Sequence, residues 1–138
     1  MGYIETLIYL RVNYFLNELS NYLSHLLVDS PFEVADIELS TWTHQFYHRF
    51  YFQNGWSLII YEKYIFAEYQ LKISRYHYAL LHPQNEPHLS FDNCPHHRNL
   101  FTFPHHKHFY PKHNHSPMIF SGEIADAFEE IKWIMENL

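Results

Sequence analysis

The 138-residue chain reads as an α+β protein: an antiparallel β-meander of four to six strands flanked by a long N-terminal helix and a C-terminal helix, with a long His/Pro-rich loop. Three observations predict this. Apolar residues recur every three or four positions at both ends, which marks a helix with one buried side. Between the ends, aromatic and β-branched residues alternate in short runs separated by turn signals. Residues 91–115 then carry seven histidines and three prolines, with no spacing that repeats over two helical turns. At 47% hydrophobic and 20% aromatic, the chain is too apolar to be disordered. Its length suits a single domain spanning 1–138.

Taken in order, residues 3–27 place Ile4, Ile8, Val12, Phe15, Leu19, Tyr22 and Leu26 on one side of a helix. Arg11, Asn13, Asn17, Glu18 and Asn21 fall largely elsewhere. Such a face suits core packing or a homodimer. Asp29-Ser30-Pro31 supplies a stop. Residues 32–39 alternate in part, and in 42–52 His44, Phe46, His48 and Phe50 share one parity, so both segments read as strands. Asn54-Gly55 is the strongest turn signal, because a type I′ hairpin needs positive φ at both central residues. The next strand starts at Trp56, with Leu58, Ile60 and Glu62 on one face. Glu62, being charged, is expected to point outward. Residues 65–71 continue that strand or begin another. In 72–81, Ile73, Arg75, His77 and Ala79 lie on one side, with Ser74, Tyr76, Tyr78 and Leu80 on the other. Residues 82–87 form a polar turn. A short strand over 88–92 runs into the histidine segment, so Asp92 and Asn93 sit at a strand exit. Ile124, Phe128, Ile131, Met135 and Leu138 mark a closing amphipathic helix, with Ser121 as N-cap and Glu123 in the first turn.

Several function classes are disfavoured. Three glycines, no GxGxxG and no Walker sequence argue against a Gly-rich phosphate cradle. A formal charge of −6 is no general footprint for nucleic acid. Protonating all thirteen histidines would reverse that sign, and the change would concentrate beside Arg98, Lys107 and Lys112. Cys94 is the only cysteine, so one chain forms neither an internal disulfide nor a Cys-based zinc cluster, which suits a reducing cytoplasm. The apolar start is broken by Glu5, Arg11 and Asn13, leaving no secretory signal and no membrane-length run.

Ten of the thirteen histidines lie between His77 and His115, and imidazole gives or takes protons near neutrality. The first chemistry this suggests is metal-independent RNA cleavage without a cofactor. One neutral imidazole removes the 2′-hydroxyl proton, a protonated one serves the leaving oxygen, and a cation stabilises the charge on phosphorus. Candidates are His96 and His97 on one arm of the loop and His105, His106 and His108 on the other. Lys107, Arg75 or Arg98 would be the cation, and Asp92 would orient a ring, with Asn93 beside it. Tyr76 and Tyr78, flanking His77, would contact substrate by stacking a base, or serve ordinary sheet packing. The alternative is a metal site using His105, His106 and His108 with His96 and Asp92. Alternation in an extended segment pairs His106 with His108 rather than His105 with His106. A third reading is a non-catalytic protein-interaction module.

The segments NGWSLIIYE, RYHYALL, FDNCPHH and TFPHHKH, in this order between Asn54 and Ser121, resemble the TumE-type family of bacterial toxin-antitoxin proteins. The pattern falls on Gly55, Ser57 and Glu62, on Tyr76, His77 and Tyr78, on Asp92, Asn93, Pro95, His96 and His97, and on Pro104, His105, His106, Lys107 and His108. Three departures stand out: Trp56 lies between the Gly and the Ser, Ser90 replaces a common Arg, and His113 and His115 are additional. The resemblance implies the toxin of a two-protein system, silenced by a cognate antitoxin.

Overall fold

A computed structural model describes residues 2–23, 37–39, 44–112 and 116–138, with 37–39 described as backbone. The expected end of the first helix at 24–27, the Asp29-Ser30-Pro31 stop, the strand start at Phe32, Trp42, His113 and His115 lie outside the described residues. Chain order is α1 (Tyr3–Leu23), β1 (Ile37–Leu39), β2 (His44–Tyr51), β3 (Ser57–Ala67), β4 (Gln70–Leu81), β5 (Pro87–Asp92), β6 (His106–Phe109), β7 (Met118–Ile119) and α2 (Ile124–Glu136). Among the described residues, these seven strands form one sheet in sequence order, and every neighbouring pair is antiparallel. The α+β meander is as expected, and two short strands extend it. One, β6, arises inside the segment expected to be irregular.

The hairpins follow local backbone chemistry, with one exchange of turn types. At Asn54-Gly55 the closing bond runs from Phe52 N–H to the Trp56 carbonyl (2.8 Å), and Gly55 N–H bonds the Phe52 carbonyl (3.0 Å). Only Gly55, at φ 88°, is left-handed there. The result is a three-residue loop ending in a left-handed glycine, rather than the expected type I′ turn. Positive φ at two successive residues occurs instead at Glu68 (56°) and Tyr69 (61°), between β3 and β4. The β4–β5 turn repeats the first pattern, with Asn85 left-handed at φ 68°.

Both helices contribute to one core with one face of the sheet. From α1 come Ile8, Val12, Phe15, Leu19 and Leu23. From α2 come Ile124, Ala127, Phe128, Ile131, Ile134 and Met135, whereas Leu138, expected on the same face, lies past the end of the helix and is 64% exposed. The buried residues pack with Phe46, Leu58, Ile60, Tyr78, Leu80, Leu89 and Phe91 from the strands. The Phe15 and Phe46 rings meet at 5.0 Å. Burying each such side chain contributes roughly 1.5–3 kcal/mol.

Two expectations need correction. Glu62 does not point outward: it is 0% exposed, because its strand parity matches Leu58 and Ile60. Arg11 binds it with two hydrogen bonds (3.1 and 2.7 Å), and the Tyr64 and Tyr78 hydroxyls donate to it at 2.8 and 2.5 Å. Burial opposes the Arg11 charge, but the Glu62 bonds and charge outweigh it and raise the guanidinium pKa. Burial, then Glu62, raises both tyrosines. Second, Ser121 is not the N-cap residue of α2. Glu123 holds that position without a side-chain cap bond, while Ser121 Oγ accepts the Glu123 N–H (3.1 Å) and donates to Asp126 (2.6 Å).

Candidate active site

Cross-strand partners in an antiparallel sheet share a face. Register therefore aligns Tyr47, Tyr61, His77, Asp92 and His106 in one row across β2 to β6. Their chain neighbours Phe46, Ile60, Tyr78 and Phe91 are core residues, so this row points away from the helices. His108, two positions along β6, lies on the same face opposite Ser90.

His106 is the fixed point of the cluster. It is 2% exposed, and its Nδ1 lies 3.0 Å from the Pro104 carbonyl. A carbonyl only accepts, so Nδ1 is the donor. Nε2 faces Asp92 Oδ1 at 3.0 Å. The same carboxylate oxygen accepts the Cys94 N–H at 2.9 Å, a bond from a residue two positions on that closes a turn at the strand exit. Against His106 stand His97 at 4.7 Å and His108 at 5.1 Å between ring centroids, with His97 and His108 5.5 Å apart. Burial first, then His106 and His108, lowers the His97 pKa. His77 is exposed. Partial desolvation of its ring by the surrounding atoms still lowers its pKa, Asp92 opposes the shift and His108 adds to it.

The loop that delivers His97 is held by its own turns. His96 N–H bonds the Cys94 carbonyl, Leu100 that of His97, Phe103 that of Leu100, and His105 that of Thr102. Thr102 Oγ1 donates to the His105 carbonyl (2.8 Å) and accepts the Phe120 N–H (3.1 Å), tying the loop to the end of β7.

The structure separates the expected site residues into two sets. Asp92, His97, His106 and His108 come together, with His77 and Arg75 on the same face. His105, Lys107, Tyr76 and Tyr78 lie on the helix side. The Lys107 ammonium binds both Glu130 oxygens at 2.8 Å, so it is not the cation of this cluster. Tyr76 and Tyr78 are buried and stack on each other at 4.8 Å, which removes them from base stacking. Burial, then Asp92, raises the Tyr76 pKa. The His105 ring stacks on Tyr76 and its Nδ1 meets the Tyr76 hydroxyl at 2.9 Å, so it cannot join His106 and His108 around a metal. Asn93 spends its amide on the backbone: Oδ1 accepts the Tyr76 N–H (2.9 Å) and Nδ2 donates to the Ser74 carbonyl (3.1 Å). It extends the β4 ladder where β5 has ended. His96 and Arg98 are exposed on the loop, outside the cluster.

Sequence reasoning missed the surroundings of the cluster. Tyr47 and Tyr51 are 51% and 47% exposed. They share the outward parity of β2 with Arg49, whose guanidinium lies over the Tyr51 ring at 5.3 Å. Tyr61 and Lys63 continue this face on β3, and Arg75 on β4 pairs with Lys63. The Arg75 guanidinium reaches Cys94 Sγ at 3.5 Å. The signal was present in 42–52, where Tyr47, Arg49 and Tyr51 have the parity opposite to Phe46 and Phe50.

The protein thus carries an imidazole cluster beside a carboxylate, on the open face of a meander with two helices behind it. The family model described as Toxin TumE matches residues 23–137, and the chain belongs to that family. The match runs from the end of α1 through α2, well beyond the 54–121 segment that carries the resemblance. Neither a curated protein nor a solved structure matches the chain. Among the described residues, no helix is long and apolar enough to cross a membrane.

Proposed function

We propose that this toxin cleaves RNA on the open face of its sheet by acid–base chemistry, acts in the bacterial cytoplasm and is silenced by a cognate antitoxin. The supporting observation is that His77, His97 and His108 gather around buried His106 and its half-buried partner Asp92. One accessible imidazole takes the 2′-hydroxyl proton as the 2′-oxygen attacks phosphorus. Another gives a proton to the departing 5′-oxygen, so the products are a 2′,3′-cyclic phosphate and a 5′-hydroxyl. Arg75 is an exposed cation on this face that can serve the phosphoryl oxygens. His106, sealed beneath, is a positioning residue that fixes the rings above it. The chemistry needs no cofactor.

The test is purified protein with labelled total RNA, with and without chelator. Cleavage is expected to survive chelator, to leave cyclic phosphate ends, and to fall at least 100-fold in His97→Ala or His108→Ala with circular dichroism unchanged. Such a loss matches the usual contribution of one acid or base. Intact RNA with the wild-type protein sinks the proposal, and so does full activity in both variants. The competing reading is a non-catalytic interaction module, favoured by exposed Phe101, Ile119 and Trp133. Tight antitoxin binding without any cleavage would establish it instead.

A further inference from the structure

We infer that His97, His106 and His108 form a binding site for one divalent transition-metal ion of the zinc class. One nitrogen from each ring lies within 4.8 Å of the other two. The rings are not stacked: their planes cross at 81°, 66° and 89°, as imidazoles do when their lone pairs turn toward a common centre. Two of them occupy alternate positions of one strand, which puts them on one face, and the third descends from the loop above.

The hydrogen bonds of His106 point the same way. Its Nδ1–H is committed to the Pro104 carbonyl, the arrangement by which ligating histidines are held in one tautomer and one orientation. That leaves Nε2 as the coordinating atom, and Nε2 faces Asp92 Oδ1 at 3.0 Å. A proton on Nε2 makes the two an ion pair; in the loaded site the ion takes the place of that proton, with the Asp92 carboxylate beside it. Tetrahedral ligand atoms about 2.0 Å from the ion lie roughly 3.3 Å apart. Loading the site would draw the three nitrogens together from their present separation of up to 4.8 Å.

Donor chemistry selects the ion. Three imidazoles suit Zn²⁺, Co²⁺, Ni²⁺ or Cu²⁺, and offer little to Mg²⁺ or Ca²⁺, which take oxygen shells. Cys94 is absent from the cluster, so no thiolate biases the site toward Cu⁺. The site deepens the acid–base reading by adding its regulation. An ion here occupies the lone pairs that accept protons, so loading and proton transfer exclude each other, and metal acts as a reversible brake on the same rings.

The experiment measures binding without RNA, so its outcome is independent of whether the protein cleaves. Tag-free, metal-stripped full chain is titrated with Co²⁺ and followed by visible absorption, then with Zn²⁺ in competition. One Co²⁺ per chain with intense tetrahedral bands is expected, displaced by Zn²⁺ and weakened at least tenfold in His97→Ala and in His108→Ala. Affinity is expected to stay unchanged in His88→Ala, whose ring packs against His82 and Trp56 instead. Circular dichroism of each variant separates loss of ligands from loss of fold. Absence of saturable Co²⁺ binding overturns the site. Binding equally strong in both ligand variants also overturns it, because the ion would then be held by other histidines.

Discussion

A carboxylate with no solvent exposure, set among Leu58, Ile60 and Tyr64, is stable only if its charge is met on every side. Arg11 meets Glu62 from α1, and Tyr64 and Tyr78 meet it from the sheet. An uncompensated buried charge is far more costly than a neutral pair is beneficial. Arg11→Met is therefore expected to lose about 3 kcal/mol of stability, read as a lower urea midpoint with unchanged slope. Adding Glu62→Gln should recover much of that loss. A single-variant loss below about 1 kcal/mol would show that Arg11 acts as an ordinary surface cation. This residue also shows how sequence reading can divide against itself. Strand parity put Glu62 with the core, and charge put it in water. Parity prevailed because a long-range partner on another element was available, and alternation within one strand carries no information about such a partner. The same blindness hid the Lys107–Glu130 pair and the Tyr76–His105 bond.

At the scale of elements, most strands were legible because alternation is a local property, while turns were legible only in part. The Asn54-Gly55 signal marked a real hairpin, but the chain closes it with a third loop residue. At Glu68-Tyr69 the sequence carries no turn signal, although both residues are left-handed. The long β3 and β4 ladder around the turn imposes that conformation. Non-glycine residues held there cost about 1 kcal/mol each. Replacing the pair by Asn-Gly, the residues a two-residue hairpin prefers, is therefore expected to raise stability by about 1 kcal/mol, seen as a higher melting temperature. The side-chain bond at stake is the surface pair between Glu68 and Lys72, which contributes little. An unchanged or lower melting temperature would mean that the hairpin geometry is unstrained. In the histidine segment, alternation correctly paired His106 with His108. The prolines and turns on either side concealed that this short stretch is a strand, and hence that His105 and Lys107 face the helices. Convergence of His97 with them depends on a loop path fixed by Thr102 and backbone turns, which no periodicity encodes.

For the molecule as a whole, the sheet divides two environments. One face is closed by the helices, and α2 brings Asp126, Glu129, Glu130 and Glu136 to that side. The other presents Tyr47, Tyr51 and Tyr61 among Arg49, Lys63, Arg75 and the imidazoles. A net charge of −6 thus says little about the surface that a polyanion would meet. If a single strand of RNA lies along this face, phosphates and bases contribute in separable ways. Each phosphate contact releases counterions, so log K falls with log salt by about 0.7 per contact on single strands. Stacking of a base on an aromatic ring is largely insensitive to salt and is worth about 1–3 kcal/mol. In a His97→Ala background that keeps the RNA intact, Arg75→Ala is expected to weaken binding and reduce the salt slope by about 0.7. Tyr47→Ala is expected to weaken binding by about tenfold or more with the slope unchanged. Lys132→Ala, on α2, should alter neither. Fluorescence anisotropy of a labelled oligonucleotide from low to moderate salt distinguishes these outcomes. Should Lys132→Ala match Arg75→Ala, attraction would be a diffuse property of the protein and the open face would lose its claim as the RNA path. Should Arg75 and Tyr47 separate as described, the strand would lie across β2 to β4 and lead directly onto His77, with His97 and His108 beyond it.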